Sequence, residues 1–163
     1  MVLSPADEAR LDSLARSFQT AFQNRFADVE YLEEFMDQLI VTIPAKHPET
    51  GDVVVWLDAD EITVGIGPHF HRHFEAYLQQ GMTTEEQERE AVEGALDFIE
   101  EFIAEKTFLR IFRTDIGDPA GASVLRADAP GQTSTMINAG VRGDWTAQDY
   151  VWSGPRAAQP GNS

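Results

Sequence analysis

Apolar residues recur every three or four positions along the first forty residues, which is the spacing of one face of an α-helix. Ser4, Pro5 and Asp7 form a helix start, with a capping hydroxyl, a proline in the first turn and an acid near the positive end of the helix dipole. One apolar stripe predicts a first helix, and another stripe, after Asp28, predicts a second. The first stripe is Leu11, Leu14, Phe18, Phe22 and Phe26, and the second is Val29, Leu32, Phe35, Met36, Leu39, Ile40 and Ile43.

The pattern changes to alternation in the middle of the chain. Residues 52–57 and 61–66 are short runs rich in β-branched and aromatic side chains, and the polar turn between them predicts a β-hairpin. Gly65 and Gly67 predict a bulge or a close approach of two backbones just before a group of histidines.

A long amphipathic helix follows, with Thr83 or Thr84 as its cap and Glu86 or Gln87 three residues on, as in a capping box. Beyond this helix, residues 107–113 alternate cleanly between apolar and polar and predict a strand. Further edge strands are expected at residues 122–127, 133–138 and 148–152. The predicted buried face of the amphipathic helix is Val92, Ala95, Leu96, Ile99, Phe102 and Ile103.

The predicted order is therefore helix, helix, hairpin, helix and strands. Strands that follow one another directly favour antiparallel pairing. The order predicts an α+β two-layer sandwich, in which helices pack on one face of an antiparallel sheet. We assign residues 1–154 to one domain and expect residues 155–163 to form a disordered tail.

The charge of the chain narrows the class of function. It carries 28 acidic and 12 basic residues, a formal net charge of −16. This charge argues against binding to nucleic acid or to an anionic membrane, because both require a basic surface. Solubility, adaptation of a whole proteome to salt, and a binding face for a basic partner are three alternative explanations of the acidity.

Motifs that would identify an enzyme are missing from the sequence. The chain has no cysteine, which excludes disulfides and thiolate chemistry and fits a reducing compartment. It also has no HExxH, GxSxG or P-loop motif. The first residues lack the basic flank and apolar run of a signal peptide, so we expect a cytoplasmic protein.

The long helix carries an unusual polar face. Between Glu85 and Glu105 there are nine acids and one base, Arg89. Like charges four residues apart destabilise an isolated helix by roughly 0.2–0.5 kcal/mol per pair. A merely solvated face would more naturally mix acids with lysines, so the pattern favours docking of a basic partner. The candidate binding residues are Glu86, Glu90, Glu93, Asp97 and Glu100, with Glu33, Glu34 and Asp37 as a second acidic group.

Three histidines at alternate positions, His69, His71 and His73, suggest a metal site as an alternative. On a strand they would share one face, with successive side chains roughly 7 Å apart, which is a wide spacing for one ion. Zinc or another divalent metal would therefore need His47 or Glu75 to complete the ligand set. Phe70 and Phe74 offer a purely structural reason for the segment, as anchors to the core.

Residues 51–113 resemble a loosely defined group of small bacterial proteins. The shared pattern is a strand of the type E-x-T-V-x-x-G, then a His-x-His-Phe run, then a helix rich in acids. Some members of such groups occur with polymorphic toxins and are taken to be immunity-like inhibitors, and many have no assigned function. The resemblance carries over no catalytic residue. The matching residues are Glu61, Thr63, Val64, His71, His73 and Phe74.

These observations predict a non-enzymatic protein-interaction module, immunity-like in character, whose acidic surface meets a basic partner. A metal-binding protein or metal-dependent enzyme built on the histidines is the alternative. A homodimer that buries Trp145, Tyr150 and Trp152 is a third expectation.

Overall fold

A computed structural model of the chain describes residues 4–6, 11–128 and 146–156. A helix, five strands, a second helix and four further strands follow one another along residues 13–155 of this part. Their bounds are α1 Ser13–Arg25, β1 Leu32–Phe35, β2 Leu39–Ile43, β3 Val53–Leu57, β4 Glu61–Ile66, β5 Phe70–Glu75, α2 Thr84–Ile103, β6 Thr107–Arg113, β7 Pro119–Arg126, β8 Thr146–Val151 and β9 Gly154–Pro155.

The first five strands form one antiparallel sheet in chain order, β1-β2-β3-β4-β5. The predicted hairpin is confirmed as β3 and β4, in which Val55 lies opposite Val64. Alternate residues of the central strands are buried, as expected for a sheet with one face on the core. These inward residues are Leu39, Val41, Ile43, Val53, Val55, Leu57, Ile62, Val64 and Ile66.

The prediction of a second helix over residues 29–43 is wrong, because this segment forms β1 and β2. In a short apolar run, helical spacing and alternation select overlapping residues, so periodicity alone does not decide between them. Residues 39–43 are buried in strict alternation and pair along their length with β3. The β-branched side chains of Ile40, Val41, Thr42 and Ile43 also favour an extended backbone.

Helix α2 packs across the inner face of this sheet. The ring of Phe98 lies 6.0 Å from the rings of both Phe70 and Phe74, which confirms the predicted role of these two phenylalanines as core anchors. Gly94 allows close contact, because a Cβ there would lie 3.0 Å from Cδ1 of Phe74. Helix α1 packs beside α2 and buries Phe18 and other residues of the first apolar stripe.

The last four strands form a second antiparallel sheet in the order β7-β6-β8-β9, where the sequence predicts a single sheet. The predicted strand at residues 107–113 is confirmed, and those at 122–127 and 148–152 overlap β7 and β8. The strand predicted at residues 133–138 lies outside the described residues. The predicted start of the tail, Pro155, pairs with Tyr150 as part of β9.

One hydrophobic cluster joins both helices and both sheets. At the C-terminal end of α2 the ring of Phe102 contacts Trp152, with ring centroids 5.8 Å apart in an edge-to-face arrangement. The fold is therefore α+β, with helices packed against antiparallel sheets, as the sequence predicts.

Candidate functional site

The acidic residues predicted on α2 lie on its solvent side. We call Glu90, Glu93, Asp97 and Glu100 the α2 stripe; all four are exposed. Arg25 of α1 reaches two of them, with Nη1 2.6 Å from Oδ1 of Asp97 and 3.6 Å from Oε2 of Glu100. The Asp97 and Glu100 side chains nevertheless remain 64% and 53% exposed, so they are accessible to another molecule.

Glu86, the fifth predicted binding residue of this helix, is engaged in the helix cap. Its Oε2 accepts a hydrogen bond from the backbone N–H of Thr83 at 2.9 Å, and the Thr83 hydroxyl accepts one from the Glu86 N–H at 3.2 Å. Hydrogen bonds from the backbone and the side chain of Thr83 to this carboxylate lower the pKa of Glu86. The predicted capping box is thereby confirmed at Thr83, and the carboxylate of Glu86 serves α2 itself.

The second predicted acidic group is split by the first sheet. Glu33 is 4% exposed and faces α1, where it accepts hydrogen bonds from Gln19 Nε2 at 3.2 Å and Gln23 Nε2 at 3.4 Å. A buried carboxylate cannot meet a partner, so the expectation for Glu33 needs correction. Glu34 points to the opposite face of β1, and Asp37 is exposed in the turn that follows.

The three histidines do not form one row. β5 begins at Phe70, and His69 lies in the preceding turn, where its Nε2 is 3.0 Å from the backbone oxygen of Glu49. At Gly67, one of the two glycines for which the sequence predicts a bulge or a close backbone approach, the backbone does approach another segment: a Cβ on Gly51 would lie 2.5 Å from the Cα of Gly67. Gly51 and Gly67 both have positive φ, 75° and 51°, a conformation that costs glycine little.

His71 and His73 do share one face of β5, with ring centroids 5.0 Å apart and planes nearly perpendicular. Nδ1 of His73 lies 2.6 Å from Oε1 of Glu61, and the Thr63 hydroxyl donates to the same carboxylate oxygen at 2.8 Å. Hydrogen bonds from His73 and Thr63 lower the pKa of Glu61. This arrangement orients one imidazole on the surface of the sheet.

The described residues contain no group of three or more His, Cys, Asp or Glu side chains that could hold a metal ion. His47, suggested as a completing ligand, packs against Gly154 and near Tyr150, with ring centroids 6.5 Å apart in the latter pair. Glu75, the other suggestion, lies opposite Glu61 at the end of β5. The structure therefore gives the zinc alternative no support.

The face of the first sheet that points away from the helices forms another candidate surface, which we call the outer face. Trp56 lies at its centre, and its ring covers Gly65, where a Cβ would lie only 2.7 Å from Cζ3 of the indole. Sequence reasoning missed Trp56, although alternation within β3 places it opposite the buried Val55 and Leu57. The outward positions, read from the strand pairing, are Leu32, Glu34, Ile40, Thr42, Val54, Trp56, Glu61, Thr63, Gly65, His71, His73 and Glu75.

A groove of about 970 Å³ runs between α1 and α2. Polar side chains, among them Arg16, Arg25 and Arg89, line it above an apolar floor. At one end the buried carboxylate of Glu88 accepts hydrogen bonds from the Ser13 hydroxyl at 3.0 Å and the Tyr77 hydroxyl at 2.5 Å. Burial and the neighbouring Glu88 raise the pKa of Tyr77.

The aromatic residues proposed for a dimer interface are buried within the chain. Tyr150 is 4% exposed and Trp152 is 2% exposed, and both belong to the hydrophobic cluster. They are therefore unavailable to a second copy, and Trp145 lies outside the described residues.

Within the described ranges, every helix is too short or too polar to cross a lipid bilayer. The chain matches no protein-family model, and comparisons with curated proteins and with solved structures give no match either.

Proposed function

We propose that the protein is a non-enzymatic binding module that holds a basic protein partner by opposite charge, with the α2 stripe as a contact surface. The observation that carries the proposal is the imbalance of charge on this stripe. Four exposed carboxylates lie along one side of α2, and Arg25 forms ion pairs with two of them, Asp97 and Glu100.

Repulsion between the carboxylates of the α2 stripe destabilises the helix unless positive charges offset it. Glu90 with Glu93, and Glu93 with Asp97, stand three and four residues apart, where like charges repel. Arg25 offsets the repulsion around Asp97 and Glu100, while Glu90 and Glu93 lie further towards the N-terminal end of the stripe. Lysines or arginines of a partner would reduce the repulsion that remains at Glu90 and Glu93.

Charge of this kind acts mainly on the rate of association. A single exposed ion pair contributes only about 0.2–1 kcal/mol. A surface of one sign, by contrast, raises association rates by steering the partner over a distance that salt shortens.

The test begins with affinity capture from a lysate of the source organism, followed by purification of the captured partner and titration of the reconstituted pair. We expect affinity to fall steeply as NaCl rises from about 0.05 to about 0.5 M, because the Debye length shrinks over this range. Replacing Glu90 and Glu93 together by Gln should weaken binding about three- to tenfold at low salt, or roughly 0.7–1.4 kcal/mol.

The matched control removes two negative charges at a site away from the α2 stripe. Asp115 and Asp118 are exposed in the turn between β6 and β7, and replacing both by Asn changes the net charge equally. If this pair of substitutions weakens binding as much as the α2 pair, the stripe has no special role. Affinity that does not respond to salt would contradict the proposal as a whole.

A further inference from the structure

The outer face of the first sheet has the composition of an interface centre. The indole of Trp56 contacts Gly65, where a Cβ would lie 2.7 Å from Cζ3 and 3.0 Å from Cη2, and Trp56 is half-buried. Ile40 and Val54 are half-buried beside it, and Leu32 is 52% exposed. Protein interfaces are enriched in tryptophan and other aromatic residues at their cores, where they account for much of the binding energy.

Acidic residues surround this apolar centre. Glu34 lies on the β1 side, and Glu61 and Glu75 lie on the side of β4 and β5. None of the outward positions of the five strands, all of which are described, is a lysine or arginine. The nearest cation of β5, Arg72, points to the inner side, where its guanidinium lies 5.7 Å from the Phe98 ring centroid. The rim of the face thus carries carboxylates and two histidines, one of them paired with Glu61, and no lysine or arginine at the outward strand positions.

We infer that the outer face is a docking surface for a protein partner that presents an apolar contact inside a basic rim, with Trp56 as the central contact. The inference rests on the proposed function in one respect, the positive charge of the partner. It goes further in placing the contact on the sheet, away from the α2 stripe, and in giving it an apolar core.

Charge decides between a basic partner and a second copy of this chain. Two copies meeting through this face would bring Glu34, Glu61 and Glu75 of each towards acids of the other. Each chain also carries a net charge of −16, so long-range repulsion opposes the encounter. A cationic rim would instead be attracted by the same residues and would fix the register of docking.

Two synthetic peptides of about fourteen residues serve as probes, one alternating lysine with leucine and the other alternating lysine with serine. They carry equal charge and differ only in apolar content. The full chain, labelled with ¹⁵N, is titrated with each, and binding is followed by calorimetry and by the indole N–H resonance of Trp56. We expect the lysine–leucine peptide to bind at least about tenfold more tightly than the lysine–serine peptide and to shift this resonance. Both peptides gain the same electrostatic attraction, and only the leucines add burial of apolar surface.

Single substitutions test whether the lysine–leucine peptide binds at the outer face. Trp56→Ala should bring the affinity for the lysine–leucine peptide to within about twofold of the lysine–serine value. Gly65→Ala should act in the same direction while keeping every apolar group of the face, because the added methyl displaces the indole. Ile116→Ala, at a side chain 78% exposed in the turn between β6 and β7, is the matched control and should change nothing.

Equal affinity for the two peptides, or resonance shifts that map to the groove between α1 and α2, would overturn the inference. Concentration-dependent dimerisation of the protein alone, lost in Trp56→Ala, would assign the face to a second copy and overturn it too. If binding of both peptides responds to Glu90→Gln with Glu93→Gln but not to Trp56→Ala, only the inference falls. If neither set of variants affects either peptide, the proposed function falls as well.

Discussion

Two carboxylates, Glu33 and Glu88, are buried and held by neutral donors. Side-chain amides of Gln19 and Gln23 serve Glu33, and the hydroxyls of Ser13 and Tyr77 serve Glu88. Burying a charge is costly unless hydrogen bonds replace the lost water, so each donor has a large effect on stability. Both groups connect α1 to another element: Glu33 to β1, and Glu88 to α2 and the segment that precedes it.

Removal of the Tyr77 hydroxyl tests this connection. Tyr77→Phe should lower the free energy of unfolding by about 1–3 kcal/mol, because it leaves one oxygen of buried Glu88 without its donor. The positive φ of Tyr77, 66°, costs the same in the variant and cancels. Urea unfolding at neutral pH measures the difference, with Leu78→Ala, at a side chain 70% exposed, as the control.

The same substitution has a defined pH signature. The pKa of Tyr77 is raised in the folded state, so its contribution is fully present below the ordinary tyrosine pKa. The contribution is lost only as pH rises through the folded value. The gap in stability between the wild type and Tyr77→Phe should therefore be constant around neutral pH and narrow in strong alkali. A gap below about 0.5 kcal/mol at neutral pH would mean that another donor replaces the hydroxyl.

Individual residues also show what the sequence could and could not foretell about the site. The exposure of Glu90 and Glu93 was predictable, because a long helix with a clear apolar stripe fixes which side chains face water. The burial of Glu33 was not, since a helix assignment hides the strand parity that separates it from Glu34. Trp56 escaped notice because a tryptophan in a β-rich run is equally compatible with the core.

Among the elements, α2 is the one that joins both sheets and the other helix. It packs on β4 and β5 through Gly94 and Phe98, on α1, and on the second sheet through Phe102. Its bounds were predictable because twenty residues of regular periodicity follow a capping box. β1 and β2 were not, because each has at most five residues and the two candidate periods overlap there.

Substitution of Gly94 tests the packing of α2 against β5. Alanine is favoured over glycine in a helix by about 1 kcal/mol, so Gly94→Ala would stabilise an isolated α2. In the protein the new methyl would lie 3.0 Å from Cδ1 of Phe74, a ring that also neighbours Phe98 and the guanidinium of Arg72. We expect crowding, which costs about 1–3 kcal/mol, to outweigh the gain, and Gly94→Ala to lower the unfolding midpoint.

The same substitution in a second protein tests whether crowding against the Phe74 ring is the cause of the lower stability. In a Phe74→Leu protein the ring is gone, so Gly94→Ala should become stabilising, and a double-mutant cycle in urea measures the reversal of sign. If Gly94→Ala is stabilising in the wild type too, the contact between α2 and β5 is looser than the geometry indicates.

Charge is unevenly distributed over the whole molecule. Carboxylates crowd α2 and the rim of the outer face, while Arg110, Arg113 and Arg126 lie on the second sheet. There Arg110 forms a bidentate pair with Asp149 at 2.7 and 2.9 Å, and this pair raises the pKa of Arg110. The rest of the molecule has few cations to balance its acids, so self-repulsion opposes compactness.

Salt should therefore stabilise the protein. Raising NaCl from about 0.05 to about 0.5 M shortens the Debye length and screens this repulsion, so Tm should rise by a few degrees. Calorimetry measures the change. The variant Glu90→Gln with Glu93→Gln should begin with a higher Tm and gain less from salt. A Tm that falls with salt would show that ion pairs such as Arg110 with Asp149 contribute more than the repulsion.

The separation of the two acidic surfaces bears on the stoichiometry of any complex. The α2 stripe lies on the outside of the helical layer, and the outer face lies on the far side of the sheet beneath it, with the hydrophobic cluster between them. A compact partner that covers one surface therefore leaves the other open. Under the two proposals made above, the layered architecture would allow the protein to hold one cationic partner on each side at the same time.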